Sequence, residues 1–124
     1  MRATPGRRLI VLEQPEIHLH PRVQSWLFDF VRSVSDASFL IETHSDHFVN
    51  RLRRRVAEDA SGSLAKRINL TFVNPGEGGA NYERLELLDT GSLSNWPVGF
   101  FDQYDEDVRA LVRAQADRRR RHRL

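Results

Sequence analysis

Leu9-Ile10-Val11-Leu12-Glu13-Gln14-Pro15-Glu16-Ile17-His18-Leu19-His20-Pro21 is the stretch that decides the fold of this 124-residue chain. Its first four residues are apolar without alternation, the pattern of a strand covered on both faces in a parallel sheet. The polar segment after them ends at Pro21, a residue suited to the first position of a helix, where its missing N–H has no intrahelical partner to lose. From there Val23, Trp26, Leu27, Phe30, Val31 and Val34 recur at helical spacing, which predicts an amphipathic helix with Trp26 in the core. Ser38 to Glu42 reads as a second strand. Strand, helix and strand in close succession predict a βαβ unit with a right-handed crossover. Both strands then end on one edge of the sheet, so Glu13 and Glu42 emerge side by side, at the edge where open α/β sheets bind ligands.

After the second strand, Ser45 is a suitable N-cap for a further helix, with Asp46 near its positive end. Phe48, Val49, Leu52 and Val56 give that helix an apolar stripe, and Arg51, Arg53, Arg54 and Arg55 crowd its other sides. Residues 60–63 read as a loop. Ile68, Leu70 and Phe72 alternate with polar residues, as do Tyr82, Arg84, Leu85, Glu86 and Leu87 across a turn over residues 74–81, predicting an antiparallel hairpin. Residues 89–99 are irregular, and a last helix begins near Asp102. Tyr104, Val108, Leu111 and Val112 are expected on its buried side, with Trp96, Phe100 and Phe101 clasping it to the sheet. Residues 1–60 are expected to form one part, 61–117 a hairpin-and-helix subdomain, and 118–124 a basic, disordered tail.

Composition narrows the chemistry. The chain has no cysteine, which excludes disulfides, thiolate metal sites and thiol catalysis. Its formal charge of +2 includes five arginines among the last seven residues; without them it becomes −3, so a basic surface over the whole chain is excluded. No apolar run approaches the ~18–20 residues that cross a bilayer, and the start lacks a secretory leader pattern, so a cytoplasmic protein without a membrane partner is expected.

An apolar strand ending in acids is the physical form of a Walker B element, whose last carboxylate reaches a magnesium ion on nucleotide phosphates. The longer string from Glu13 to Pro21 resembles the Glu-Glu-Pro-Glu-x-His-Leu-His-Pro string of RecF-like and overcoming-lysogenisation-defect-like AAA/ABC-type ATPases. Glu42-Thr43-His44-Ser45-Asp46-His47 resembles the switch, or H-loop, of the same proteins, in the same order after a helix and a strand. Trp96-Pro97-Val98-Gly99-Phe100-Phe101 resembles a segment of a subgroup with a C-terminal domain of unknown function. The resemblance implies a partial P-loop NTPase sheet of the ABC type and an α/β fold, with ATP and Mg2+ as ligands. It implies that Glu13 holds the metal and that His44 is the switch histidine touching the terminal phosphate. Gln14 takes the place of the catalytic glutamate, and His18, His20 and Thr43 border the nucleotide.

The chain departs from that pattern in two ways. Gln14 is a neutral amide, able to orient a water but not to accept its proton, so hydrolysis is expected to be slow or assisted by Glu16 as base. No glycine-rich loop with a phosphate-binding lysine occurs: Lys66, the only lysine, follows Ser63-Leu64-Ala65. The ABC signature is missing too, so the chain reads as the carboxy-terminal third of an ATPase. On its own it is expected not to turn ATP over, and to need a Walker A-bearing segment or subunit, with head-to-head dimerisation of the complete protein. Two alternatives remain open from the residues. His18, His20, His44 and His47 with nearby acids suit a zinc hydrolase. The arginines at 51, 53–55 and 118–123 suit a binding module that contacts nucleic-acid phosphates.

Overall fold

The computed structural model describes residue 6 and residues 8–123. It is an α/β structure with the element order β1 (Arg8–Glu13), α1 (Pro21–Ser33), β2 (Ala37–Glu42), α2 (Asp46–Glu58), α3 (Ser63–Lys66), β3 (Leu70–Gly76), β4 (Gly79–Leu85) and α4 (Gln103–His122). Two compact units divide it. One holds the chain up to Asn69 together with Leu87–Leu93; the other holds Leu70–Glu86 and Ser94 onward. The division thus falls nine residues later than the expected boundary at residue 60, because α3 and the segment after it belong with the first unit.

In the first unit β1 and β2 pair in parallel, in register from Arg8↔Ala37 to Glu13↔Glu42. This is the expected βαβ unit, but only one face of it is covered. Ile10, Leu12, Phe39 and Ile41 are half-buried, whereas Leu9, Val11 and Leu40 on the other face are 65%, 57% and 63% exposed. The expectation of a strand covered on both faces is corrected accordingly: α1 and α2 pack on one another, leaving the opposite side of the strands bare among the described residues.

Helix α1 begins at Pro21 as expected, yet its core residue is Phe28, which meets Phe48 of α2 edge to face at 5.6 Å between ring centroids. Trp26 is 52% exposed and Phe30 62%, correcting the expectation that Trp26 is core. At 100° per residue, Val23, Trp26 and Phe30 occupy the flank turned away from Phe28, and so away from α2. Helix α2 keeps the predicted pattern, with Phe48, Val49, Leu52 and Val56 all buried. Asp29 ties the two helices together, accepting from Arg51 at 2.6 Å and from Arg55 at 2.8 Å. The hydrogen-bonded Arg55 guanidinium, with Arg51 beside it, holds the Asp29 carboxyl below the usual carboxylate range. The segment Leu87–Leu93 closes over α2 at Gly91 (φ +79°), where an added Cβ would overlap the Arg53 carbonyl. Arg53 Nε donates to the Gly91 carbonyl at 2.8 Å. The expected loop at residues 60–63 leads directly into α3, whose Leu64 N–H is capped by Asp59 at 2.9 Å.

In the second unit β3 and β4 form the antiparallel hairpin, in register from Leu70↔Leu85 to Gly76↔Gly79. The turn is tighter than residues 74–81: the strands run on to Gly76 and Gly79, and Gly78 supplies the positive φ of +94° that the reversal needs. Pro75 is accommodated because a two-stranded ribbon consists only of edges. Phe100 is buried and contacts Phe72, Trp96 and Phe101 at centroid distances of 5.4, 5.1 and 4.6 Å, so the aromatic clasp grips the hairpin. Asn95 secures it to β4 by accepting from Glu86 N–H at 2.8 Å and donating to the Arg84 carbonyl at 3.0 Å. Helix α4 buries nothing: Tyr104, Leu111 and Val112, expected on its buried side, are 74%, 56% and 57% exposed, and Val108 is 38% exposed. Residues 118–122, read from sequence as a tail, continue α4, because Ala114, Gln115, Ala116 and the arginines are all good helix formers. Leu124 lies outside the described residues. No helix among the described residues is long and apolar enough to cross a membrane.

Candidate functional site

Strand pairing places the first two acids. Glu13 and Glu42 are register partners at the carboxyl ends of β1 and β2, both exposed on the bare side of the sheet. Pairing continues one residue further, with Gln14 N–H donating to the Glu42 carbonyl at 2.8 Å. To make that bond and then turn into Pro15, Gln14 takes φ +43°, and His18 closes the same turn at φ +64°. A left-handed backbone at a non-glycine residue costs roughly 1–2 kcal/mol. Two such residues within five positions are strain of the kind that collects at functional turns. Two short bonds hold the turn, Ile17 N–H to the Gln14 carbonyl at 3.2 Å and Leu19 N–H to the Glu16 carbonyl at 2.9 Å.

The two turns meet over Glu42. Its Oε1 accepts from the Gln14 side-chain amide at 3.4 Å and stands 3.8 Å from His44 Nε2. Both Glu42 and His44 side chains are largely open to solvent. Gln14 and His44, two of the residues singled out in the sequence, therefore stand on either side of one carboxylate.

Glu16 lies beneath this rim and is 8% exposed. Its Oε1 accepts from the His44 backbone N–H at 2.6 Å, while Oε2 is buried without a hydrogen-bond partner among the described residues. The carboxylate thus touches the backbone of the second turn and does not open onto the rim. A second tie runs through Gln24 of α1. Its amide donates to the Leu19 carbonyl at 2.9 Å and accepts from Ser45 Oγ at 2.5 Å. Ser45 Oγ in turn caps α2 by accepting from Phe48 N–H at 3.1 Å, as expected of an N-cap. Thr43 Oγ1 accepts from Ser45 N–H at 3.1 Å, so its hydroxyl shapes the turn after β2. His20 Nδ1 accepts from Arg22 N–H at 3.2 Å and caps α1. His18 is exposed on its left-handed turn.

Gln24 was not singled out from sequence, and Glu42 was placed at the ligand edge without a role of its own. Gln24 had a signal: it is a polar residue set inside the apolar arc of α1, between Leu27 and Phe28 in angle. Glu42 had only its place at a strand end. Among the described residues no three histidine, aspartate or glutamate side chains converge to hold a metal ion, so the zinc-hydrolase alternative has no ligand set here.

Residues 4–49 match the family model described as AAA ATPase domain, and residues 65–111 match that of a protein of unknown function (DUF3696). The first match runs through β1, α1 and β2 and contains both turns of the rim. No curated protein and no solved structure matches the chain. The part of the chain that carries the rim is thus similar to an AAA ATPase domain.

Proposed function

We propose that the rim formed by Glu13, Gln14 and His44 is one side of an ATP site, with the chain contributing the Walker B carboxylate and the switch histidine of an ABC-like, RecF-like ATPase. The observation that carries this reading is the shared Glu42 carboxylate, which brings the Gln14 amide and the His44 imidazole onto one rim next to Glu13. Glu13 would hold Mg2+, with Glu42 as its cross-strand neighbour; carboxylate oxygens open to water are the hard donors that this ion prefers, and it keeps several waters of its own. When bound, the ion neutralises charge on the phosphates. Gln14 orients the attacking water through its amide, which cannot accept a proton, so turnover is slow. His44 faces the terminal phosphate, and His18, His20 and Thr43 line the approach. Glu16 acts from below as a positioning residue, holding the His44 backbone; in this placement it reaches the chemistry only through that turn.

A Walker A-bearing segment or subunit completes the site, with head-to-head pairing of the complete protein. The bare apolar side of β1 and β2 supports such a partner, since parallel strands are ordinarily covered on both faces. The Trp96–Phe101 segment is assigned to the C-terminal domain of the same subgroup. The test is binding and hydrolysis of magnesium–ATP by the chain joined to a Walker A segment. Glu13→Gln is expected to abolish magnesium-dependent binding, and His44→Ala to reduce turnover at least tenfold while leaving the fold intact. Magnesium-dependent binding that survives Glu13→Gln would overturn the assignment.

A further inference from the structure

The chain carries two groups of arginines, and the structure separates them. On α2, Arg51 and Arg55 bond to Asp29 at 2.6 and 2.8 Å, Arg54 bonds to Glu58 at 2.6 Å, and Arg53 donates to the Gly91 carbonyl. Arg51, Arg53 and Arg55 thus hold α2 to its neighbours, and Arg54 is paired within the helix. The second group, Arg118, Arg119, Arg120, Arg121 and Arg123, lies at the end of α4, exposed, and no carboxylate among the described residues stands within ion-pair distance of it. Asp117 is the one acid in residues 113–123.

We propose that this end of α4 is a contact surface for the phosphate backbone of nucleic acid. The helix end itself presents only about half a negative charge, so five cations far exceed what the dipole would offset. The helical period also lines up Arg109, Arg113, Arg120 and Arg123 on one side of α4 with Ala116 between them, an open basic stripe about 21 Å long. An anionic lipid surface fits less well. Helices that lie in a bilayer interface bring large apolar side chains along with their cations, yet residues 113–123 hold none larger than alanine. The apolar residues Tyr104, Val108, Leu111 and Val112 sit instead in the first half of α4, among Asp105, Glu106 and Asp107. A polyanion held by charge alone remains, and its binding is blind to base sequence.

The test uses the 124-residue chain without nucleotide, so it stands or falls apart from the ATP site. A fluorescein-labelled DNA duplex of about 20 base pairs is titrated by anisotropy between about 50 and 200 mM salt; five phosphate contacts give a slope of log K on log salt near −4.5, roughly a 500-fold weakening. Changing Arg109, Arg113, Arg118, Arg119, Arg120 and Arg121 together to Ala, which leaves Arg123 as the one arginine of this surface, is expected to bring the slope to about −1, roughly a fourfold change over the same range. Alanine preserves helix propensity at these exposed sites, so the circular dichroism of the variant is expected to match the parent. Equal slopes for parent and variant, or binding to phosphatidylserine vesicles but not to the duplex, would overturn the proposal.

Discussion

Glu16 joins two turns that lie 28 residues apart in the chain, through its 2.6 Å bond to the His44 N–H. Removing the carboxylate leaves a backbone donor without its partner, so Glu16→Ala is expected to cost about 1–3 kcal/mol in urea unfolding. Glu16→Gln keeps an acceptor for that N–H in a side chain of the same size, and is expected to stay within about 1 kcal/mol of the parent. Hydrogen exchange at the His44 amide separates the two variants directly: slow in Gln, fast in Ala. Gln14 poses the opposite case, a residue whose backbone works against stability. Gln14→Gly is expected to relieve the left-handed φ and raise unfolding free energy by up to about 1 kcal/mol. The same change removes the amide beside Glu42, so under the proposed ATP site the turnover of the chain joined to a Walker A segment is expected to fall. A Gly variant that is both less stable and equally active would count against a functional origin for the strain.

Between α1 and α2 the joint is part apolar and part ionic. Phe28 against Phe48 supplies the buried contact, and Asp29 with Arg51 and Arg55 supplies a fork of charge-assisted bonds. Because the bond to Arg55 lowers the Asp29 pKa on folding, its stabilisation is fully present above the ordinary carboxylate value near 3.8 and is lost as pH falls through the lower folded value. Thermal unfolding followed from about pH 6 down to pH 2 should therefore show an acid-side loss of stability that is smaller in Asp29→Asn. At neutral pH the same variant is expected to be destabilised by roughly 1–2 kcal/mol, since both arginines are only partly exposed and lose a charged acceptor. An acid limb that is unchanged in Asp29→Asn would place the pH sensitivity elsewhere.

At the scale of the molecule, the first unit has a sheet whose strands are apolar on both sides and covered on one. Leu9, Val11 and Leu40 contribute little to its stability, because they are more than half exposed. Replacing Val11 and Leu40 by Thr is expected to change unfolding free energy by less than about 0.5 kcal/mol. Self-association measured by light scattering should drop, since a contiguous apolar surface is removed. If the double variant unfolds much more easily, that face carries packing within the chain. The second unit shows how far a local pattern can be read. Its strands followed from alternation, whereas the three neighbouring rings gather on the hairpin and do not clasp α4 to it as expected. The apolar side of α4 was expected to be buried, yet nothing among the described residues covers it. A helical period states which residues share a side, and it is silent on whether anything lies opposite.

From the order of residues alone came the βαβ unit, the N-cap at Ser45, the hairpin, and the placing of Glu13 and Glu42 at one edge. Each of these rests on spacing along the chain or on the fixed hand of a crossover, and so needs no distant information. Folding in three dimensions decided the rest. It put Phe28 in the core in place of Trp26, turned Glu16 under His44, and recruited Gln24 and Glu42 to hold the two turns together. Those outcomes depend on which side of one helix meets another and on which donor a side chain finds across 21 to 28 residues of sequence, and a one-dimensional pattern has no term for either.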